Sequence, residues 1–137
     1  MWAYFAGLID GEGCFLLTKH KNKIVKTGFS WNPSLRIANL DSRPLELLRR
    51  EVGGIIKCQI KGKSKIYYYI AYGEVLRKIL PNIEPFLIIK KEQAQIIQKV
   101  LYLLKHRSRR YRSVFVDAKL EAYSEQLKEL KRNDREA

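Results

Sequence analysis

The chain has 137 residues, 46% of them hydrophobic, and 27 Lys and Arg against 14 Asp and Glu, for a formal net charge of +13. That length allows one domain, 1–137, with a real core, and is too short for two. The basic excess points to a polyanionic partner, and no apolar run approaches the ~20 residues of a membrane-spanning helix. The charge is uneven: residues 1–112 hold 22 basic and 8 acidic side chains, residues 113–137 hold 5 and 6. A nucleic-acid face is therefore expected in the first part, with the last segment as scaffold. Cys14 and Cys58 lack the spacing of a zinc site and read as reduced thiols. No secretory signal is visible, so a soluble protein of the cytoplasm, nucleoid or an organelle matrix is expected.

Residues 1–10 read as a helix. Ala3, Gly7 and Gly11 recur every four residues and put small side chains on one face, which lets another backbone approach. A second helix docked there and close packing on the chain's own sheet both fit that spacing. The helix runs into Asp10-Gly11-Glu12-Gly13, two carboxylates set among glycines. A helix C-terminus carries partial negative charge, so acids there are unfavourable unless something offsets them; a divalent cation is the expected agent.

Two strands follow, over 13–20 and 27–39. In the second, Trp31, Pro33, Leu35 and Ile37 alternate with Ser30, Asn32, Ser34 and Arg36; Pro33 predicts a local irregularity. In the first, Phe15 and Leu17 look inward, Thr18 and His20 outward. Asp41-Ser42-Arg43-Pro44 opens a helix to about residue 52, which Gly53-Gly54 ends. A second strand pair covers 55–61 and 65–72. There Ile56, Cys58 and Ile60 alternate with Lys57, Gln59 and Lys61, and Ile66, Tyr68 and Ile70 with Lys65, Tyr67 and Tyr69. A short helix to about residue 80 precedes a long one over 88–105 and a last one over 114–132, where Val116, Leu120, Tyr123, Leu127 and Leu130 form a core seam.

The fold class is thus α+β. A curved four-stranded antiparallel sheet carries helices on one face and leaves a polar, basic face to solvent. Such a face suits the major groove of duplex DNA, where each base pair presents its own donor and acceptor pattern. The outward positions are candidates for DNA contact: Thr18, His20, Ser30, Asn32, Ser34, Arg36, Lys57, Gln59, Lys61, Lys65, Tyr67 and Tyr69. Arg107, Arg109 and Arg110, in a basic loop between the last two helices, would grip phosphates without reading sequence. Lys90 lies near a helix N-terminus, where a cation is disfavoured, and so calls for a phosphate or water partner.

Phe5-Ala6-Gly7-Leu8-Ile9-Asp10-Gly11-Glu12-Gly13 resembles the signature of the LAGLIDADG homing endonucleases. The order α-β-β-α-β-β-α and the Pro85-Phe86-Leu87 lead into a lysine-bearing helix also resemble that family, over nearly the whole chain. Phe5 stands for the first Leu, Gly11 for Ala and Glu12 for the final Asp. The resemblance implies the αββαββα endonuclease fold and, with one motif copy, a homodimer with Ala3, Gly7 and Asp10 at the interface. It implies that Glu12, with the Gly11 carbonyl, holds Mg²⁺ or another hard divalent cation. Lys90 matches the active-site lysine, and Asn39 and Arg43 match positions that order solvent around the cleaved phosphate; Asp10 supports the helix end instead of holding metal.

The implied activity is site-specific cleavage of double-stranded DNA in intron homing. It would act across the minor groove of a long pseudo-palindromic site, leaving short 3′ overhangs. The rivals are an RNA-binding maturase with intron RNA as partner and a DNA binder that does not cut. No membrane partner is expected.

Overall fold

A computed structural model describes residues 1–24, 28–106 and 114–136. The elements in chain order are α1 (Trp2–Glu12), β1 (Gly13–Lys21), β2 (Phe29–Asn39), α2 (Arg43–Val52), β3 (Ile55–Lys61), β4 (Ser64–Tyr72), α3 (Gly73–Ile83), a 3-10 turn (Glu84–Phe86), α4 (Lys91–His106) and α5 (Val114–Glu136). The strands form one antiparallel sheet in the order β1-β2-β4-β3. Helix starts and stops follow local chemistry. In α2, for example, Pro44 sits in the first turn, Glu46 and Arg49-Arg50 complement the helix dipole, and Gly53 ends the helix at φ 90°.

The core lies between one face of the sheet and the helices. Phe15, Leu35, Ile37 and Tyr69 from the strands meet Phe5 and Ile9 of α1, Leu45 and Leu48 of α2, and Leu76 and Ile79 of α3, all fully buried. α5 closes the remaining side with Leu120 and Leu127 buried and Tyr123 and Leu130 packed against them. It packs against α4 and reaches the sheet through Lys19–Glu121 (2.9 Å) on β1 and through the Trp31 indole N–H of β2, which donates to Asp117 (3.1 Å). Among the described residues no helix is long and apolar enough to cross a membrane.

Two expectations fail in the sheet. The irregularity expected at Pro33 is missing: β1 and β2 pair in unbroken register from Gly13↔Ile37 to Lys21↔Phe29. Pairing with β4 starts only at Ser34, so Pro33 stands where β2 has a neighbour on one side, and its missing N–H is tolerated.

The second failure is the facing of β4. Tyr67 and Tyr69 do not look outward; they share the core face with Ile37 and Asn39, their partners in register. Tyr69 is fully buried and donates its hydroxyl to the Gly53 carbonyl at 2.7 Å, and burial pushes its pKa well above the ordinary tyrosine value. The ring fills space that a side chain at residue 54 would occupy: a Cβ on Gly54, whose φ is +112°, would lie 2.4 Å from it. A tyrosine with its one polar atom satisfied is a core residue. Lys65 shares this face, and Ile66, Tyr68, Ile70 and Tyr72 take the open one.

Candidate active site and nucleic-acid interface

α1 stops where Gly13 opens β1, and the junction has no room for a side chain. A Cβ on Gly13 would stand 2.7 Å from the Ile9 carbonyl oxygen. α1 has no basic residue in its last turn to complement its dipole. The cation comes instead from the segment before α4. Lys90 Nζ donates to the carbonyls of Ile9 (3.0 Å), Asp10 (3.1 Å) and Gly13 (2.6 Å). In the other direction, the Asp10 carboxylate accepts the backbone N–H groups of Ile88 (2.8 Å), Ile89 (3.2 Å) and Lys90 (3.0 Å). These amides precede the first turn of α4, where N–H groups lack helical acceptors.

Lys90 thus departs from the partner expected of it, whereas Asp10 supports the helix end and accepts only backbone amides among the described residues. Lys90 has carbonyl partners where phosphate or water was expected. An ammonium has three N–H donors, and three carbonyls take them. Burial pushes its pKa down, opposed by the nearby Cys14, Asp10, Asp134 and Glu12. Asp10 turns its carboxylate to the amides of residues 88–90 of its own chain. The electrostatic cost of an acid at the end of α1 is, for Asp10, offset by amides and needs no cation.

Glu12 is different. It is exposed, and among the described residues no hydrogen bond or ion pair engages its carboxylate. The Gly11 carbonyl is not among the acceptors of Lys90. Glu12 lines a shallow cleft with Ala38, Asn39, Leu40 and Ile66. No cluster of three or more acidic, His or Cys side chains occurs among the described residues. One free carboxylate beside a backbone carbonyl fits a hard cation that keeps several waters and takes its other ligands from phosphate oxygens.

Asn39 shares that cleft, its side-chain oxygen accepting the Asp41 N–H at 2.9 Å. Arg43 lies outside it. Its guanidinium grips both oxygens of Asp41, the closest contact being 2.6 Å, and is 88% exposed. Those hydrogen bonds hold the Asp41 carboxyl at a pKa of about 2 and raise that of Arg43.

On the open face, Thr18, His20, Ser30, Asn32, Ser34 and Arg36 stand together across the β1–β2 ladder, and Lys57, Gln59 and Lys61 line β3. Thr18 donates its hydroxyl to the Asn32 carbonyl (3.2 Å) and lies 3.1 Å from His20 Nε2. Sequence periodicity missed Tyr68, whose ring lies under the Arg36 guanidinium at 4.7 Å. The alternation through β4 carried that signal, but tyrosine fits either face. Ala3, Gly7 and Gly11 form an exposed stripe, and a Cβ on either glycine would meet nothing within 4 Å. Packing on the chain's own sheet, the plainer reading of their spacing, falls to Phe5, Ala6 and Ile9. Arg107, Arg109 and Arg110 lie outside the described residues.

The model of the LAGLIDADG endonuclease family matches residues 5–100. The chain belongs to the LAGLIDADG endonuclease family. The match starts at the first motif residue and takes in the sheet, the Asp10–Lys90 exchange and most of α4. Among solved structures, the archaeal intron-encoded homing endonuclease I-Vdi141I, complexed with DNA, superposes with a TM-score of 0.81 at 20% identity over 94% of this chain and 82% of that one. The homing endonuclease I-TnaI gives 0.77 at 20% identity over 99% and 97%. I-SmaMI, bound to an uncleaved DNA target in the presence of calcium ions, gives 0.75 at 27% identity over 92% of this chain and 44% of its own length. Among curated proteins, no sequence relative matches. The likenesses at 20% identity establish the LAGLIDADG fold with its four-stranded antiparallel sheet.

Proposed function

We infer that this chain is a site-specific double-strand DNA endonuclease that works as a homodimer with Mg²⁺ or a similar hard divalent cation. One observation carries the reading: of the two motif acids, Asp10 is fully engaged within the chain, whereas Glu12 is free, exposed and next to the open sheet. Family membership and likeness to a DNA-bound homing endonuclease support the substrate class.

Two copies joined through the Ala3-Gly7-Gly11 stripe would bring two Glu12 carboxylates near a two-fold axis. Support for that pairing comes from glycines that cost a helix about 1 kcal/mol each and serve no contact in their own chain. The correspondence with 44% of the longer I-SmaMI chain supports it as well. Two copies would place two sheets along a long pseudo-palindromic site, with Arg36, Gln59 and Lys57 available to base edges in the major groove. Cleavage would fall across the central minor groove and leave short 3′ overhangs.

In the reaction, water adds to phosphorus and the P–O3′ bond breaks. One proton of the water ends on the 3′ oxygen and the other passes to solvent. A divalent cation at Glu12 and the Gly11 carbonyl would supply Lewis-acid stabilisation of the transferring group. Glu12 holds that charge in place, and Asn39 orders water in the same cleft.

Incubating the intact protein and Glu12→Gln with a randomised duplex library and Mg²⁺, then sequencing the cut ends, tests this. The expected result is one enriched near-palindromic site cut only by the intact protein. Cutting by Glu12→Gln at the wild-type rate would refute the assignment of Glu12. Salt-sensitive binding with no cutting by either protein would favour the maturase or the non-cleaving binder.

A further inference from the structure

We propose that Tyr68, on β4, is a positioning residue for DNA recognition: its ring holds the Arg36 guanidinium ready to read a guanine in the major groove, at one inner position of each half-site. The inference rests on the DNA-recognition part of the reading above. It deepens that part by naming the base read and the residue that orients its reader. It starts from the charge pattern of the sheet. None of the four strands contains an Asp or Glu, so no strand offers Arg36 a carboxylate.

β2 and β4 are the two central strands. Arg36 is exposed on β2, opposite Ile70 of β4. Tyr68 is half-buried two residues from Ile70, opposite Ala38 on one side and Lys57 on the other. Tyr68 is thus the diagonal neighbour of Arg36, a spacing that aromatic and long side chains bridge. Ala38, directly across, contributes only a methyl group and leaves the ring to Arg36. The guanidinium carbon lies over that ring, 4.7 Å from its centroid. Among the described residues no hydrogen bond or ion pair engages Arg36. By contrast, Arg43, Arg49, Arg77 and Arg132 each close on a carboxylate. Contact with a ring face uses none of the five guanidinium N–H donors, so the fork is held and its donors stay available.

That fork matches O6 and N7 of guanine, the commonest specific contact of arginine in the major groove. On a sheet lying in the groove, a side chain of a central strand meets base edges, whereas phosphates flank the groove. Ala38 and Ile66, which neighbour Tyr68 across and along the same face, line the cleft that holds Glu12. The base pair read therefore lies in the inner part of the half-site. An arginine ordered before DNA arrives loses less side-chain freedom on binding, and that is what the ring contributes.

Selection from a randomised duplex library by binding, with Ca²⁺ in place of Mg²⁺, tests the assignment independently of cleavage. The full chain is compared with Arg36→Ala, Tyr68→Leu and Tyr68→Phe. The wild type is expected to enrich guanine at one inner position of each half-site, and to bind the selected duplex about 5- to 150-fold better than one with A·T there. Arg36→Ala should lose that preference and keep those at other positions. Tyr68→Leu should weaken it by about 2- to 5-fold, the worth of an exposed cation–π contact, and Tyr68→Phe, which keeps the ring, should restore it.

Positioning is separated from direct contact in two ways. A 7-deazaguanine at the selected position lacks the N7 acceptor, and should weaken binding by the wild type but not by Arg36→Ala. Tyr68→Leu should change nothing more at that position once Arg36→Ala is present. A uniform loss on all sequences in Arg36→Ala would make Arg36 a phosphate contact. An unaltered preference in Tyr68→Leu, or an effect that persists without Arg36, would remove the positioning role. Each of these results overturns the proposal and leaves the nuclease reading intact. A chain that binds selectively as expected and never cuts would refute the nuclease alone, and one with no sequence-selective binding would remove both.

Discussion

Replacing Lys90 with Met removes the ammonium while keeping most of the side-chain volume, and the structure fixes what is lost. The Ile9 carbonyl keeps the Gly13 N–H as a partner, so the carbonyls of Asp10 and Gly13 lose the donor that reaches them from the segment before α4. A half-buried carbonyl without a partner costs near the low end of about 1–3 kcal/mol, and the cation–dipole interaction at a helix end adds about 0.5–1 kcal/mol. Against this, the variant no longer buries a charge, which the lowered pKa of Lys90 shows to be unfavourable. The net expectation is a loss of about 2 kcal/mol; at about 3–4 °C per kcal/mol for a chain of this length, that is a fall of about 7 °C in Tm. Urea and thermal unfolding of the two proteins measure it. Because Asp10 and Lys90 exchange partners, Asp10→Asn combined with Lys90→Met should be non-additive by at least about 0.5 kcal/mol. A Tm shift under about 1 °C, or an additive cycle, would refute the clamp.

Three other outcomes are expected. Gly13→Ala places a methyl group 2.7 Å from the Ile9 carbonyl and 2.9 Å from Ile9 Cα and Cγ2, and should cost about 1–3 kcal/mol by overpacking; unchanged stability in urea would mean that the junction yields. Asp41 has a folded pKa of about 2, below its ordinary 3.8, so its stabilising contribution is complete above about pH 4 and disappears as the pH falls towards 2. Carboxyl NMR should find that low midpoint in the wild type and return it close to 3.8 in Arg43→Ala, and equal midpoints would show the pair is not formed. Gly7→Leu fills the exposed stripe without touching its own chain, so a folded monomer by sedimentation is expected where the wild type is a dimer; a dimer of unaltered affinity would place the interface elsewhere.

Much of this molecule was legible because local pattern decides it. The motif at residues 5–13, the hairpin alternation and the Pro44 and Gly53 boundaries placed the elements to within a few residues, and they singled out Glu12. What stayed hidden depends on contacts between distant segments. Nothing near Asp10 in sequence announces that amides at 88–90 will hold its carboxylate, and nothing near Lys90 announces three carbonyls at the end of α1. The facing of β4 is ambiguous in the sequence because tyrosine is apolar in its ring and polar at its tip. Only the pocket under Gly54 and the Gly53 carbonyl decide which property counts at Tyr69.

The exchange between Asp10 and Lys90 also sets what can be transplanted. The nine-residue signature reads as a self-contained unit, yet half of its electrostatics is supplied by a second, remote strip of chain. A graft of residues 5–13 onto a foreign helix would arrive with open carbonyls at its end and an acid facing no amides. Residues 88–90 would have to travel with it, so the portable unit is a two-piece part, and recombination between relatives should keep the two pieces from the same parent.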